Sequence, residues 1–290
     1  MKIASIDAGG GPSLGIRDID GSVINLGGLG DDVPTRLRQL LDLGPDALVD
    51  IEKGARAVGE RLDVDSITFL PLVPEPHAVW CAALNYDTHI SEGNWEPPSK
   101  PPLFLRVGAS LCGHLQPMVL PAVSTRLDYE GELALVIGTR ARHVPESDAY
   151  DVIAGYSCFN DGSVRDWQRH TGQITSGKNF SMTGPFGPWL ATRDEVPDIT
   201  QAELSTTVNG KRMQHASISD MIFGIPQLVH YLSTMVELLP GDVIITGTPG
   251  GVGIRQDPPV FLREGDVVEV EVDGVGRLTN PIVLEEVSQP

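Results

Sequence analysis

Asp128-Tyr129-Glu130-Gly131-Glu132-Leu133-Ala134-Leu135-Val136-Ile137-Gly138 sets two like charges just ahead of an apolar, strand-like run. Side chains alternate along a strand, so Glu130 and Glu132 point to the same side. Two readings fit such a pair: solvated glutamates at an exposed strand end, or two oxygen ligands for a hard divalent cation. A third acid decides between them. Asp161 is the best placed. It follows the apolar stretch Ile153-Ala154-Gly155-Tyr156-Ser157-Cys158-Phe159 and so sits at a strand exit, where loops build sites. Three carboxylates without Cys or His favour Mg²⁺, Mn²⁺ or Ca²⁺ over zinc.

Arg165 and Gln168 stand four and seven residues beyond Asp161, so a helix there brings all three to one face. Arg165 then offers a fork for a substrate carboxylate, and Gln168 a donor for a carbonyl. The plain alternative is a helix start with a surface arginine. Lys178 lies in a Gly-Lys-Asn-Phe turn, and the meaning of a lone lysine depends on its neighbours. Upstream, His89 and Glu92 are three residues apart, a spacing that on a helical turn joins imidazole to carboxylate. The carboxylate raises the basicity of the imidazole and fixes its tautomer, as activation of a water requires. A surface pair in a loop is the other reading. Gly172-Gln173-Ile174-Thr175-Ser176-Gly177-Lys178-Asn179 nearly spells a phosphate-binding loop but lacks the final hydroxyl that holds magnesium. Gly247-Thr248-Pro249-Gly250-Gly251-Val252-Gly253 does not fit a dinucleotide fingerprint and reads as a tight turn.

Strand-like runs recur at 78–84, 152–159, 204–208, 243–246, Val267–Val272 and 281–287, joined by connections rich in Gly, Pro, Asn and Asp. Asn209-Gly210 is a two-residue hairpin signal. The long helical candidate in this half is 218–235, with Pro226 marking a start or a kink. The opening differs: a hairpin around Asp20-Gly21, a helix over 31–43 with Pro34 near its start and Gly44 at its stop, and a weaker helix over 47–58. The pattern predicts an α+β, mostly β, fold, with a small N-terminal α+β domain over 1–71 and a larger unit over 72–290.

Lys plus Arg number 21 against 39 Asp plus Glu, a net charge of −18. That balance excludes nucleic acid and an anionic membrane surface as partners, since both need a basic footprint. A hydrophobic share of 41% makes the chain globular rather than a disordered acidic tail. Cys81, Cys112 and Cys158 show no CxxC spacing, and Met1-Lys2-Ile3-Ala4-Ser5-Ile6-Asp7 lacks the apolar core of a signal peptide. A cytoplasmic setting is the expectation.

Read in order, Leu84-Asn85-Tyr86-x-x-His89-x-x-Glu92, Glu130-x-Glu132, Asn160-Asp161-x-Ser163-x-Arg165-Asp166-x-Gln168, Gly177-Lys178 and Pro240-Gly241-Asp242-Val243-Ile244-x-Thr246-Gly247-Thr248-Pro249 resemble the fumarylacetoacetate hydrolase family. The resemblance covers about residues 79–283. It implies a mixed β-sandwich roll, a divalent metal (usually Mg²⁺) and a homodimer. By motif match, Glu130, Glu132 and Asp161 look like the metal ligands, and His89 and Glu92 like the dyad that positions a water. Lys178 would stabilise a developing enolate, and Arg165, Gln168 and Thr248 would hold the substrate. The chain departs at Asn179-Phe180-Ser181-Met182-Thr183, where many members read Lys-x-Phe-Asp-Thr, which bears on substrate choice. The implied activity is cleavage of a C–C bond in a 2,4-dioxo acid of the acylpyruvate or fumarylpyruvate type, in catabolism of aromatic compounds or sugar acids. The alternative is decarboxylation or tautomerisation of oxaloacetate or hydroxymuconate-type diacids through the same metal-stabilised enolate. Either way the partner is a small anionic dioxo or keto acid. A scaffold without catalysis would have lost a ligand or the dyad, and the chain has lost neither.

Overall fold

The computed structural model describes residues 1–30 and 33–286. Its centre is the strand Gly131–Ile137, buried along its whole length. Leu133, Leu135 and Ile137 enter one hydrophobic cluster, while Ala134 and Val136 enter another on the opposite face. A period of two with both faces buried needs cover on both sides. One cover is the helix Ile225–Met235, which buries Leu228, Val229 and Leu232. Beside it packs a second sheet, ordered Lys211–Ser217, Glu203–Val208, Val267–Val272, Gly276–Leu284 and Met118–Leu120. Among the described residues the first sheet has twelve strands. Ile153–Asn160 flanks the central strand antiparallel on one side and Val243–Ile245 on the other, the latter pairing parallel with Val79–Ala82.

The N-terminal residues extend this same sheet. Lys2–Asp7 pairs antiparallel with Gly184–Thr192, and Pro12–Arg17, Val23–Asn25 and Glu60–Leu62 follow outward. The ladder therefore crosses the boundary expected at residue 71. One cluster joins Ile3, Leu14, Ile24 and Leu40 to Val79, Val136 and Phe186.

Several elements differ from expectation. The first helix is Leu37–Asp42, so Pro34 precedes it, and Asp31 and Asp32 lie outside the described residues. The long helix starts at Ile225 rather than 218, with Pro226 in its first turn, where the missing N–H costs nothing. The last strand ends at Leu284, and Val287 lies outside the described residues. Gly184–Thr192 is an inner strand hidden in the sequence by Pro185 and Pro188. A ladder tolerates proline where pairing is interrupted. Here the register with Ile153–Asn160 shifts between Tyr156 and Cys158, which leaves Pro188 outside the paired positions. Among the described residues no helix is long and apolar enough to cross a membrane.

Candidate active site

Two neighbouring strands deliver the acids. Glu130 and Glu132 enter at the start of Gly131–Ile137, and Asp161 follows the end of Ile153–Asn160. Gly131 is in register with Asn160, and Asp161 N–H donates to the Glu130 carbonyl at 2.8 Å. The three carboxylates are buried, with one oxygen from each lying within 4.8 Å of the others. Gly131 separates them because nothing larger fits: a Cβ there would stand 2.0 Å from Thr206 Oγ1. Thus the solvated reading of the Glu130–Glu132 pair fails.

Three cations face this cluster. Lys178 Nζ lies 2.5 Å from both Glu130 Oε2 and Asp161 Oδ2. Arg165 Nη1 reaches Glu130 Oε1 at 2.7 Å, and its Nε reaches Asp128 Oδ2 at 2.8 Å. Arg106 Nη1 donates to Asp161 Oδ1 at 2.7 Å. Burial pushes the Glu130 carboxyl up, but Lys178 and Arg165 overcome this and hold it down at about 2. Burial also works against the Lys178 ammonium, and Asp161 and Glu130 reverse it, so its pKa is raised. Glu132 goes the other way. Burial, then Asp161 and Glu130 beside it, push its carboxyl well above the ordinary range. Among the described residues Glu132 has no cationic side chain within ion-pair distance, and it accepts a hydrogen bond from Gly247 N–H at 2.5 Å. An all-oxygen donor set with an uncompensated buried carboxylate fits a hard divalent cation held by Glu130, Glu132 and Asp161.

Arg165 and Gln168 reach the site by a route other than the expected helix. Ser163–Val164 is extended and pairs with Leu127–Asp128, followed by a short 3₁₀ turn at Trp167–Arg169. The extended segment turns Arg165 under Asp128 and Glu130, and Arg165 Nη1 then donates to Gln168 Oε1 at 3.2 Å. Asp128 and Arg106 carry this arrangement, and sequence reading missed both. Asp128 also accepts from Gly253 N–H and Ile254 N–H, tying the glycine-rich loop to Arg165. The only trace of Arg106 in the sequence is a charge in phase with buried Phe104, across exposed Leu105.

The helix Asp87–Gly93 carries His89 and Glu92. Glu92 Oε1 is 2.7 Å from His89 Nδ1, and its other oxygen accepts from Gly251 N–H at 2.7 Å. Asn85 pins the approach to this helix through Phe223 and the Thr246 carbonyl. A cavity of about 820 Å³ is lined by His89, Glu130, Glu132, Asp161, Arg165, Gln168, Lys178 and Thr248, whereas Glu92 sits behind His89. The Thr248 hydroxyl donates to the Gly131 carbonyl and accepts from Gln214 Nε2, which fixes the loop beside the acids.

Residues 78–283 match the family model described as fumarylacetoacetate (FAA) hydrolase C-terminal. The chain is 35% identical over 288 residues to a mitochondrial oxaloacetate tautomerase of Xenopus laevis, covering 98% of this chain and 90% of that protein. A fumarylacetoacetate hydrolase from the psychrophile Exiguobacterium antarcticum superposes with a TM-score of 0.87 at 32% identity, over 98% of this chain and all (100%) of the other. Maleylpyruvate hydrolase from Sphingobium sp. SYK-6, solved with manganese(II) and pyruvate, superposes at 0.82 with 29% identity, over 99% and 100%. With its acid cluster, its His–Glu pair and its sheet order in place, and matched over most of its length, the chain belongs to the fumarylacetoacetate hydrolase family.

Proposed function

We propose that this enzyme is a divalent-metal-dependent hydrolase that cleaves acylpyruvates between the 3- and 4-carbons. The observation that carries the reading is His89. Glu92 holds its Nδ1, and Nε2 has no protein partner among the described residues, on the wall of the cavity that contains the acid cluster. Bound at Glu130, Glu132 and Asp161, Mg²⁺ (or Mn²⁺ or Ca²⁺) supplies Lewis acidity toward a 2-oxo carboxylate and offsets charge that would repel it. Arg165 and Gln168 orient the pyruvate end of the substrate. His89 Nε2 takes a proton from water, and Glu92 stabilises the imidazolium that results. The hydroxide adds to the distal carbonyl, the C3–C4 bond breaks, and its electron pair passes into a pyruvate enolate. The Lys178 ammonium stabilises that charge, and a proton returned to C3 completes the two acids.

The size of the cavity supports an acyl substrate. Trp80, Leu103, Leu105 and Ile174 give it an apolar wall that a four-carbon keto diacid would leave uncovered. Similarity to an oxaloacetate tautomerase favours a second reading, in which the same acids and Lys178 stabilise an enolate that no water attacks. Turnover of acylpyruvates, oxaloacetate and hydroxymuconate-type diacids with Mg²⁺, with products identified by NMR, separates the two. His89→Ala is expected to lower acylpyruvate hydrolysis by about 10²–10⁴-fold while keeping the larger part of any oxaloacetate turnover. Equal loss of both would overturn the role of His89. Assembly as a homodimer, a cytoplasmic setting and a small N-terminal module over 1–71 that shares the main sheet belong to the same proposal.

A further inference from the structure

Arg106, Arg165 and Lys178 are each bound to carboxylates. On the cavity wall Arg255 and Arg169 are bound to none among the described residues, and of these two Arg169 is exposed whereas Arg255 is half-buried. The Arg255 Nε is buried and has no hydrogen-bond partner. In a chain with 39 acids against 21 bases, an arginine left unpaired at a ligand cavity is unspent charge.

The surroundings of Arg255 are built. Its guanidinium carbon sits 4.9 Å from the centre of the Trp95 ring, the stacked geometry that holds an arginine without consuming its donors. Trp95 in turn packs edge-on to His89, ring centres 5.3 Å apart. The indole reaches that position because residue 93 is glycine, where a Cβ would lie 2.1 Å from Trp95 Cε3. The backbone is fixed as well: Gly253 and Ile254 donate to Asp128, and Arg255 N–H donates to the Val252 carbonyl. Asp128 is the residue that also holds Arg165.

Place decides function. His89 stands by the carbonyl that water attacks, so whatever contacts Trp95 meets the acyl tail rather than the pyruvate end. We infer that Arg255 anchors a carboxylate at the far end of that tail, selecting dicarboxylic dioxo acids over acylpyruvates with a neutral tail. The inference rests on the reading of the cavity as a 2-oxo-acid site. A guanidinium with free donors gives a carboxylate two parallel hydrogen bonds, and its loss costs binding at least about tenfold.

Binding without turnover tests this. Oxamates mimic the 2-oxo carboxylate and are not hydrolysed at a C–C bond. Calorimetry on the Mg²⁺-loaded protein compares an N-alkyl oxamate with one of equal length ending in a carboxylate. Wild type is expected to prefer the diacid by about tenfold or more, Arg255→Gln to bring the ratio near one, and Arg255→Lys to leave an intermediate ratio. No preference in wild type, or a preference unchanged in Arg255→Gln, overturns the anchor. No measurable binding of either oxamate overturns it too. A preference that depends on Arg255, in a protein that hydrolyses no acylpyruvate, upholds the anchor and sinks the hydrolase reading instead.

Discussion

Arg106 illustrates how one residue can govern a site without facing the reaction. All three guanidinium nitrogens are committed: Nη1 to Asp161 and the Gly162 carbonyl, Nη2 to Thr183 Oγ1, and Nε to Ser110 Oγ. Arg106 thus clamps one oxygen of Asp161 while Lys178 holds the other. Arg106→Met would leave Asp161 Oδ1 buried without its charge partner while Lys178 still holds Oδ2, so in metal-free protein the expected loss lies below the roughly 3–5 kcal/mol of a fully stranded carboxylate. A divalent cation replaces the missing positive charge, so Mg²⁺ is expected to recover more stability in Arg106→Met than in wild type. Thermal melts in EDTA and in Mg²⁺ check this. Equal gains in the two proteins would count against the clamp.

At the scale of the element, the short strand Val243–Ile245 matters for the turn that follows it. Gly247 has φ +100 and gives its N–H to Glu132. A Cβ there would sit 2.7 Å from Asn85 Cβ and 3.1 Å from the Ala82 carbonyl. Gly247→Ala must move the turn, and Glu132 loses its one backbone donor. Divalent-cation affinity measured by calorimetry is expected to fall about 10–100-fold. Unchanged affinity would show that Glu132 needs no such support. The acids themselves were legible in the sequence, because a strand's period of two fixes Glu130 and Glu132 on one side. The His89–Glu92 pair was legible for the same kind of reason, three residues on a helical turn. Arg165 was found by spacing, though the segment that carries it is extended rather than helical. Arg106 and Asp161 meet across the sheet at a separation of 55 residues, which no local pattern encodes. Nor does any encode the stacking of Arg255 on Trp95, two loops that meet only in the folded chain. Gly184–Thr192 stayed hidden because its prolines read as breaks, whereas the shifted register accommodates Pro188.

For the molecule as a whole, His114 lies where the N-terminal strands meet the second sheet. Its Nδ1 accepts from Thr279 N–H at 3.1 Å, and its ring packs edge-on to Phe69 at 4.9 Å. Burial pushes its imidazole down to about 4. An unfolded histidine titrates near 6.5, so above that value both states are neutral and His114 contributes no slope. As pH falls from about 6.5 toward 4, the unfolded chain takes a proton that the folded chain refuses, and stability is lost. Asn at this position keeps an acceptor for Thr279 N–H but does not titrate. Between about pH 7 and pH 5, the unfolding free energy measured in urea should therefore fall by about 2 kcal/mol more in wild type than in His114→Asn. Identical pH slopes would place the acid sensitivity elsewhere.

Strand order also dictates a timetable for synthesis. Val243–Ile245 fills the slot between Gly131–Ile137 and Val79–Ala82, two strands translated long before it. Until residue 245 leaves the ribosome, both neighbours carry a bare edge, the kind of surface on which chains stick to one another. Gly247, the ligand-bracing turn, emerges later still. A nascent chain thus holds Glu130, Glu132 and Asp161 well before it can assemble them, and a ribosome that stalls short of this point releases a sheet with an unfilled seam.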